Sequence, residues 1–340
     1  MATAAGTRNE VLAIFTGAGT IHCLIRPSTD GFGRPLCFNF PDWRFFMHFQ
    51  NLFLSLIVGI TVATSGVVVS AAEKAAPSRI LMLTQSAGFV HSSVKRPDGD
   101  KQDGEKKLAV SEISMIQLGH STELFTVDCT QDAAEDFTKA NLQNYDIVMF
   151  YTTGKLPIAD ADRDYFFKEW LTAKGHGFIG FHSAADTYGD YQPYWDMIGG
   201  TFDGHPWGSG TTVTIHVHEP ENPMMKPFGK EFTIKDEIYQ YKNWQPEKVR
   251  VLMSLDMTRC TPSEPRHVPV AWVKSYGEGK VYFNNLGHNE ATWLDRRFLD
   301  SITAGVKWIR GEVEGDSTPN PELSKAQEEA AKAAAAAAKK

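Results

Sequence analysis

From Pro77 onward, short apolar runs alternate with longer amphipathic stretches, and that alternation leaves few folds open. Residues 79–85 (RILMLTQ) read as a first strand, 122–128 as a second, 145–151 (YDIVMFY) as a third and 177–181 as a fourth. Between them, 105–119 carries apolar residues at helical spacing (Leu108, Ile113, Ile116) with Gly119 as its stop. Helices are also predicted over 132–142 and 160–173, the latter with Asp160 as N-cap and Gly175 just past its end. Strands that alternate with helices of this length imply a parallel sheet covered on both faces. The predicted fold is α/β, a flavodoxin-like three-layer sandwich with a mostly parallel central sheet. Past Thr211 the strand signals become denser (212–218, 231–234, 249–254, 268–273, 280–285), with few helices between them. That predicts an added mixed or antiparallel region, closed by a helix over 293–310.

The flanks read differently. Residues 52–69 (LFLSLIVGITVATSGVVV) are uncharged and apolar, and Ser70-Ala71-Ala72 follows before the first charges, Glu73 and Lys74. An apolar run ending in small residues is the pattern of a secretory signal. The expectation is that translation starts at Met47, that 1–46 is an over-extended gene start, that 47–72 is a signal peptide and that the protein is exported to the periplasm or outside the cell. A membrane anchor through 52–69 is the alternative, since the run is long enough to span a bilayer. The main domain is expected over 77–312. The remainder, 313–340, is a low-complexity Ala/Lys tail ending in EEAAKAAAAAAKK; alanine favours helix but the segment lacks an apolar stripe, so it is expected to be a solvated, partly helical or disordered extension, and no chemistry is assigned to it.

Charge and cysteine content narrow the function classes. A formal charge of −7 argues against nucleic acid as a partner. Four cysteines are too few for a disulfide scaffold, and none sits in a CxxC pair; whether Cys129 and Cys260 meet stays open. No GxGxxG follows the first strand, where the chain reads QSAGFVHSS, so no nucleotide cofactor is expected.

Polar residues recur where predicted strands end. His91 follows the first strand; His182, with Asp186 four residues on, follows the fourth. Asp203 and His205 lie in a glycine-rich turn, Glu237 and Tyr239 in the segment KDEIY, and Asn285 and His288 at the end of VYFNNLGH. Each has a plainer reading, as a loop hydrogen-bonder, a turn cap or an ion-pair partner. Their recurrence at the carboxyl ends of strands, where open α/β sheets bind ligands, favours a common cleft. His216 and His218 alternate along a strand and are assigned to a solvated or edge face.

These fragments carry a resemblance. GFVHSS, FHSAADT, GGTFDGHPW, KDEIYQY, PVAWVKSYGEGKVYFNNLGH and SITAGVKWIRGE, in that order from Arg79 to Glu312, resemble the ThuA-like, or trehalose utilisation, family. That family is similar in fold to class I glutamine amidotransferases. The resemblance implies metabolism of trehalose or a related disaccharide or keto-sugar, and it leaves room for a separate dehydrogenase partner. Amidotransferases place a nucleophilic Cys in a G-x-C-x-G elbow. Here the matching run is Gly180-Phe-His182-Ser-Ala184, and imidazole does not replace a thiolate in a Cys–His mechanism. Glutamine amidotransferase activity is therefore not expected.

Two chemistries fit the residues. In one, His91, His182, His205 and His288, with Glu237, supply ligands to a divalent metal such as zinc. In the other, His182 and an acid (Asp186, Asp203 or Glu237) move protons on a sugar hydroxyl or keto-sugar. Trp207, Tyr239 and Asn285 are expected to contact the carbohydrate substrate. The nonenzymatic alternative is a glycan-binding α/β module that uses Trp195, Trp207 and Trp244; such a module does not need converging imidazoles.

Overall fold

The computed structural model describes residues 75–97, 107–260 and 265–340. The expectations for residues 1–46 and 47–72 lie outside the described residues. Among the described residues, no helix is long and apolar enough to cross a membrane.

Eleven strands form in chain order: β1 (Ser78–Leu83), β2 (Phe125–Thr130), β3 (Ile147–Phe150), β4 (Gly177–Phe181), β5 (Thr201–Phe202), β6 (Thr212–Val217), β7 (Glu231–Lys235), β8 (Tyr241–Lys242), β9 (Arg250–Leu255), β10 (Pro269–Tyr276) and β11 (Gly279–Asn284). Nine make one sheet in the order β2-β1-β3-β4-β11-β10-β9-β6-β7, while β5 and β8 pair separately. From β2 to β11 every pairing is parallel; from β11 to β7 every pairing is antiparallel. The first four strands thus have the flavodoxin-like order, and the denser strand signals after Thr211 are its antiparallel extension.

Alternation along each parallel strand shows why both faces are buried. Ile80 and Met82 of β1 enter one core cluster, and Leu81 and Leu83 enter the other. Ile147 and Met149 oppose Val148 and Phe150 on β3 in the same way, as Tyr282 opposes Val281 and Phe283 on β11. A central parallel strand needs apolar side chains at every position because neither face meets water.

The helices depart from their sequence patterns for local reasons. The first, α1 (Val110–Thr122), begins later than 105 and passes through Gly119, ending instead at left-handed Glu123. Gly119 serves close packing, since a Cβ there would lie 2.5 Å from the Phe125 carbonyl oxygen. The expected helix over 132–142 is two short ones, α2 (Ala133–Asp136) and α3 (Lys139–Leu142), capped separately by the side chains of Asp132 and Thr138. The next, α4 (Asp160–Tyr165), has Ala159 rather than Asp160 at its N-cap and runs into a π-helical turn over Phe166–Trp170. The wider turn buries Phe166, Phe167 and Trp170 together. After α5 (Gln192–Ile198), the closing segment splits into a 3-10 turn, Glu290–Leu294, and α6 (Arg296–Ile309), which starts at the Asp295 cap.

The tail is helical, α7 (Pro321–Ala338); most of it is open to solvent, and its start docks without an apolar stripe. Asn320 accepts from the Val251 N–H at 2.8 Å and donates to the Val251 carbonyl at 3.0 Å, so its amide imitates a strand partner for β9. Glu328 accepts from the His267 N–H at 2.6 Å, and Ala331 is fully buried. Backbone-directed polar contacts and small side chains replace the missing stripe. Cys129 and Cys260 are both free and half-buried.

His218 also differs from expectation. It is half-buried, and its Nε2 lies 3.0 Å from the Ser254 hydroxyl, whose other imidazole partner is His267 Nε2 at 2.7 Å. Burial, then neighbouring His216, lowers the His218 pKa to about 4. Burial, then His218, lowers that of His267 to about 3. Below the ordinary value of about 6.5 the unfolded chain therefore binds more protons than the folded one. Stability should be full above pH 6.5 and fall as pH drops towards 4, by about 1.4 kcal/mol per pH unit for each group. Urea denaturation across that range should show a shallower slope for His267→Gln than for the wild type; equal slopes would contradict it.

Candidate functional site

Four segments meet at the carboxyl edge of the parallel strands. His91 lies beyond β1 at the start of a 3-10 turn, His182 immediately follows β4, and His288 follows β11. Glu237 comes from the antiparallel side, two residues past β7. The four offer ligand atoms that all lie within 4.8 Å of one another, so the cluster can hold a metal ion.

The three imidazoles are mutually perpendicular. Ring centroids are 5.0 Å apart for His91–His182 and for His91–His288, and 5.1 Å for His182–His288, with interplanar angles of 89°, 85° and 86°. The Asn285 carbonyl lies 2.8 Å from His182 Nδ1. A carbonyl only accepts, so Nδ1 carries the proton and Nε2 presents its lone pair to the cluster. His288 Nδ1 lies 3.2 Å from that Nε2 and 3.1 Å from Glu237 Oε1, and His182 Nε2 is 3.5 Å from the same oxygen.

This triangle of donor atoms is where the site meets coordination chemistry. A proton on His288 Nδ1 can serve only one of two facing acceptors, whereas one cation satisfies all three. Tetrahedral bonds of about 2.0–2.1 Å place neighbouring ligand atoms roughly 3.3 Å apart, which the edges of 3.1, 3.2 and 3.5 Å bracket. Protonation states agree. Burial, then the two other imidazoles, lowers the His91 pKa to about 3 and keeps it a neutral ligand. Burial would raise the Glu237 carboxyl, but hydrogen bonding and charge from His182 and His288 bring it below the carboxylate range, so it is an anion. His91 Nδ1 is buried without a hydrogen-bond partner.

His182 pays a conformational cost for its place. Its φ is +39°, in the left-handed region that a non-glycine residue enters at about 1–3 kcal/mol. A strained strand-to-helix elbow is the device that presents a nucleophile in α/β-hydrolase sheets, and here such a turn presents a buried imidazole to the cluster.

Two buried side chains brace the segments. Asp236 Oδ2 accepts from the Gly287 N–H at 2.8 Å and the Thr292 hydroxyl at 2.9 Å. Its Oδ1 accepts from the Asn289 N–H at 2.8 Å and the Glu237 N–H at 3.1 Å. Asn285 accepts from the Tyr239 N–H and donates to the Tyr239 carbonyl, at 3.3 and 3.2 Å. Tyr239 in turn sets its hydroxyl 3.2 Å from His91 Nε2, with its ring centroid 4.1 Å from that of His182.

The remaining sequence-derived residues fall at different distances from this centre. His205 Nδ1 is 3.3 Å from Glu237 Oε2, and its side chain is 53% exposed, at the mouth. Asp186 ends the 3-10 turn that His182 begins; burial raises its pKa against opposing pulls from Lys242 and His182. The Asp203 carboxylate pairs with Arg266 at 3.0 Å. Trp207 is a core residue, and its carbonyl accepts from the Ile238 N–H at 2.9 Å, steadying the Glu237 segment. Sequence reasoning missed Asp236, although it lies beside Glu237, and Tyr151, whose hydroxyl donates to the Gly287 carbonyl at 2.8 Å.

A sheet with flavodoxin-like strand order and a His/Glu centre at its carboxyl edge defines an α/β protein with a built polar site. The chain belongs to the ThuA family, described as trehalose utilisation, whose family model matches residues 79–309. It is similar in fold to a ThuA-like protein from Bacteroides uniformis ATCC 8492, with TM-score 0.54 and 21% identity over 75% of this chain and 99% of that one. A ThuA-like protein from Parabacteroides merdae ATCC 43184 gives TM-score 0.52 and 14% identity over 72% of this chain and 98% of that one. No curated protein matches the chain.

Asp236→Ala should leave three backbone N–H groups and a hydroxyl without an acceptor. The expected loss is about 3–5 kcal/mol in urea denaturation, with Asp236→Asn losing less. An unchanged midpoint for the alanine variant would remove Asp236 from this role.

Proposed function

We propose that this protein acts on a carbohydrate, trehalose or a related disaccharide or keto-sugar, by metal-assisted proton chemistry at the His91, His182, Glu237 and His288 cluster. The observation that carries the reading is the tight triangle of His182 Nε2, His288 Nδ1 and Glu237 Oε1, with edges a cation would satisfy. Zinc suits the neutral imidazoles and the single carboxylate, and when bound it would supply Lewis acidity towards a sugar oxygen.

The chain's own residues divide the remaining work. His205, half in solvent and bonded to the outer oxygen of Glu237, is positioned to pass protons between the centre and bulk water. Asp186, its pKa raised by burial, is suited to hold a proton near a sugar hydroxyl. Tyr239 orients His91 through its hydroxyl and covers His182 with its ring. The second chemistry uses the same residues without a metal, with His182 and an acid as base and acid. The pattern of residues 47–72 supports export, and N-terminal sequencing of the mature protein should find no residue before Met47.

The test is metal analysis of the purified protein, joined to turnover of trehalose and its keto derivatives. The wild type should hold about one divalent ion per chain. His182→Ala and His288→Ala should lose the ion and lower turnover by at least about 100-fold while keeping the wild-type circular dichroism. A metal-free protein that turns over sugar would move the reading to acid–base chemistry. Sugar binding without turnover would make it a glycan-binding module.

A further inference from the structure

A second cleft lies away from the histidine cluster, between the Tyr241–Trp244 turn and α7. It has a volume of 440 Å³ and is lined by Tyr241, Trp244, Arg266, His267, Ser324 and Glu328, among others. That size falls within the range of about 300–1,000 Å³ usual for small-molecule sites.

What distinguishes this cleft is its unmet hydrogen bonding. The Tyr241 hydroxyl, Trp244 Nε1, His267 Nδ1 and Ser324 Oγ are all buried without a partner, and all four residues line the cleft. Tyr241 and Ser324 are only 6% and 7% exposed. Buried polar groups are normally paired, so four orphans around one cavity point to a missing polar occupant.

The lining also limits the occupant's chemistry. Glu247, Glu322 and Glu328 outnumber Arg266 and Lys325, which disfavours an anion. Trp244 and Tyr241, with ring centroids 6.1 Å apart and planes inclined by 32°, offer apolar faces beside the orphan donors. Aromatic faces edged with donors and acceptors match the alternating C–H and O–H surface of a sugar ring.

We propose that this cleft is a second binding site for a neutral, hydroxyl-rich ligand, a carbohydrate of one or two rings. The site stands apart from any reaction at the histidine cluster. Arg266, at its edge, bonds to the Gln240 side chain and the Asp203 carboxylate, both at 3.0 Å.

The test uses the His182→Ala variant, with His288→Ala as a second background, so that binding at the cluster does not confuse the reading. Trehalose, maltose and glucose are titrated by calorimetry and by tryptophan fluorescence. At least one sugar should bind saturably. Adding Trp244→Ala should weaken that binding at least tenfold, and adding Tyr241→Phe or Ser324→Ala should weaken it measurably. Without sugar, the last two should leave the melting temperature unchanged or raised, because each removes a buried unpaired group; a purely structural role would lower it. The proposal is overturned if none of the three sugars binds saturably in these backgrounds, or if binding is indifferent to the cleft substitutions. Neither result would alter the metal content or turnover by which the cluster is judged.

Discussion

The site depends on one buried carboxylate. Asp236 ties the turn that carries Glu237 to the turn that carries His288, through four hydrogen bonds on its two oxygens. Glu237 follows β7, at the far edge of the antiparallel half of the sheet, and His288 follows β11, the last parallel strand, so no direct pairing of their strands fixes their separation. A buried carboxylate with four donors is held by its own desolvation, because every direction of movement strips it of a partner. Asn285 does the same between Tyr239 and His182, with its side chain on the first and its carbonyl on the second. Together the two clamps bring residues from four distant segments to within hydrogen-bonding distance.

The electrostatics follow from that assembly. Three imidazoles this close in a buried site cannot all be charged, and His91 is held neutral by its burial and then by the two facing imidazoles. Glu237 is the opposite case. Burial disfavours its charge, but hydrogen bonding and charge from the facing His182 and His288 overcome that and keep it an anion. The strain at His182 belongs to the same balance: its φ of +39° is maintained only because the Asn285 carbonyl and the packed Tyr239 ring fix the imidazole where the elbow puts it.

Much of the architecture was legible because apolar alternation reports burial directly. The strands 145–151 and 177–181 needed no neighbours to be recognised, and the histidines at strand ends were visible as abrupt breaks in apolar runs. What escaped was set by contacts far apart in sequence. Nothing local marks the tail as docked, since Asn320 and Glu328 act on the backbones of Val251 and His267. Asp236 stood one residue from a named candidate, yet its four donors come from a turn some fifty residues later and from its own neighbour. His218 looked like an edge residue because its partner, Ser254, lies on another strand.

The turn after β4 decides which side chain stands at the centre of the parallel edge. A cysteine there works alone as a nucleophile and needs only a base within reach. A histidine at the same point has a longer side chain, and here its Nε2 faces Glu237 and His288. Asp236 and Asn285 brace the turns that bring those groups together, by hydrogen bonds to the backbones on either side of them. The antiparallel extension is then part of the cluster, because β7 and the turn beyond it carry the carboxylate of Glu237 to the parallel edge.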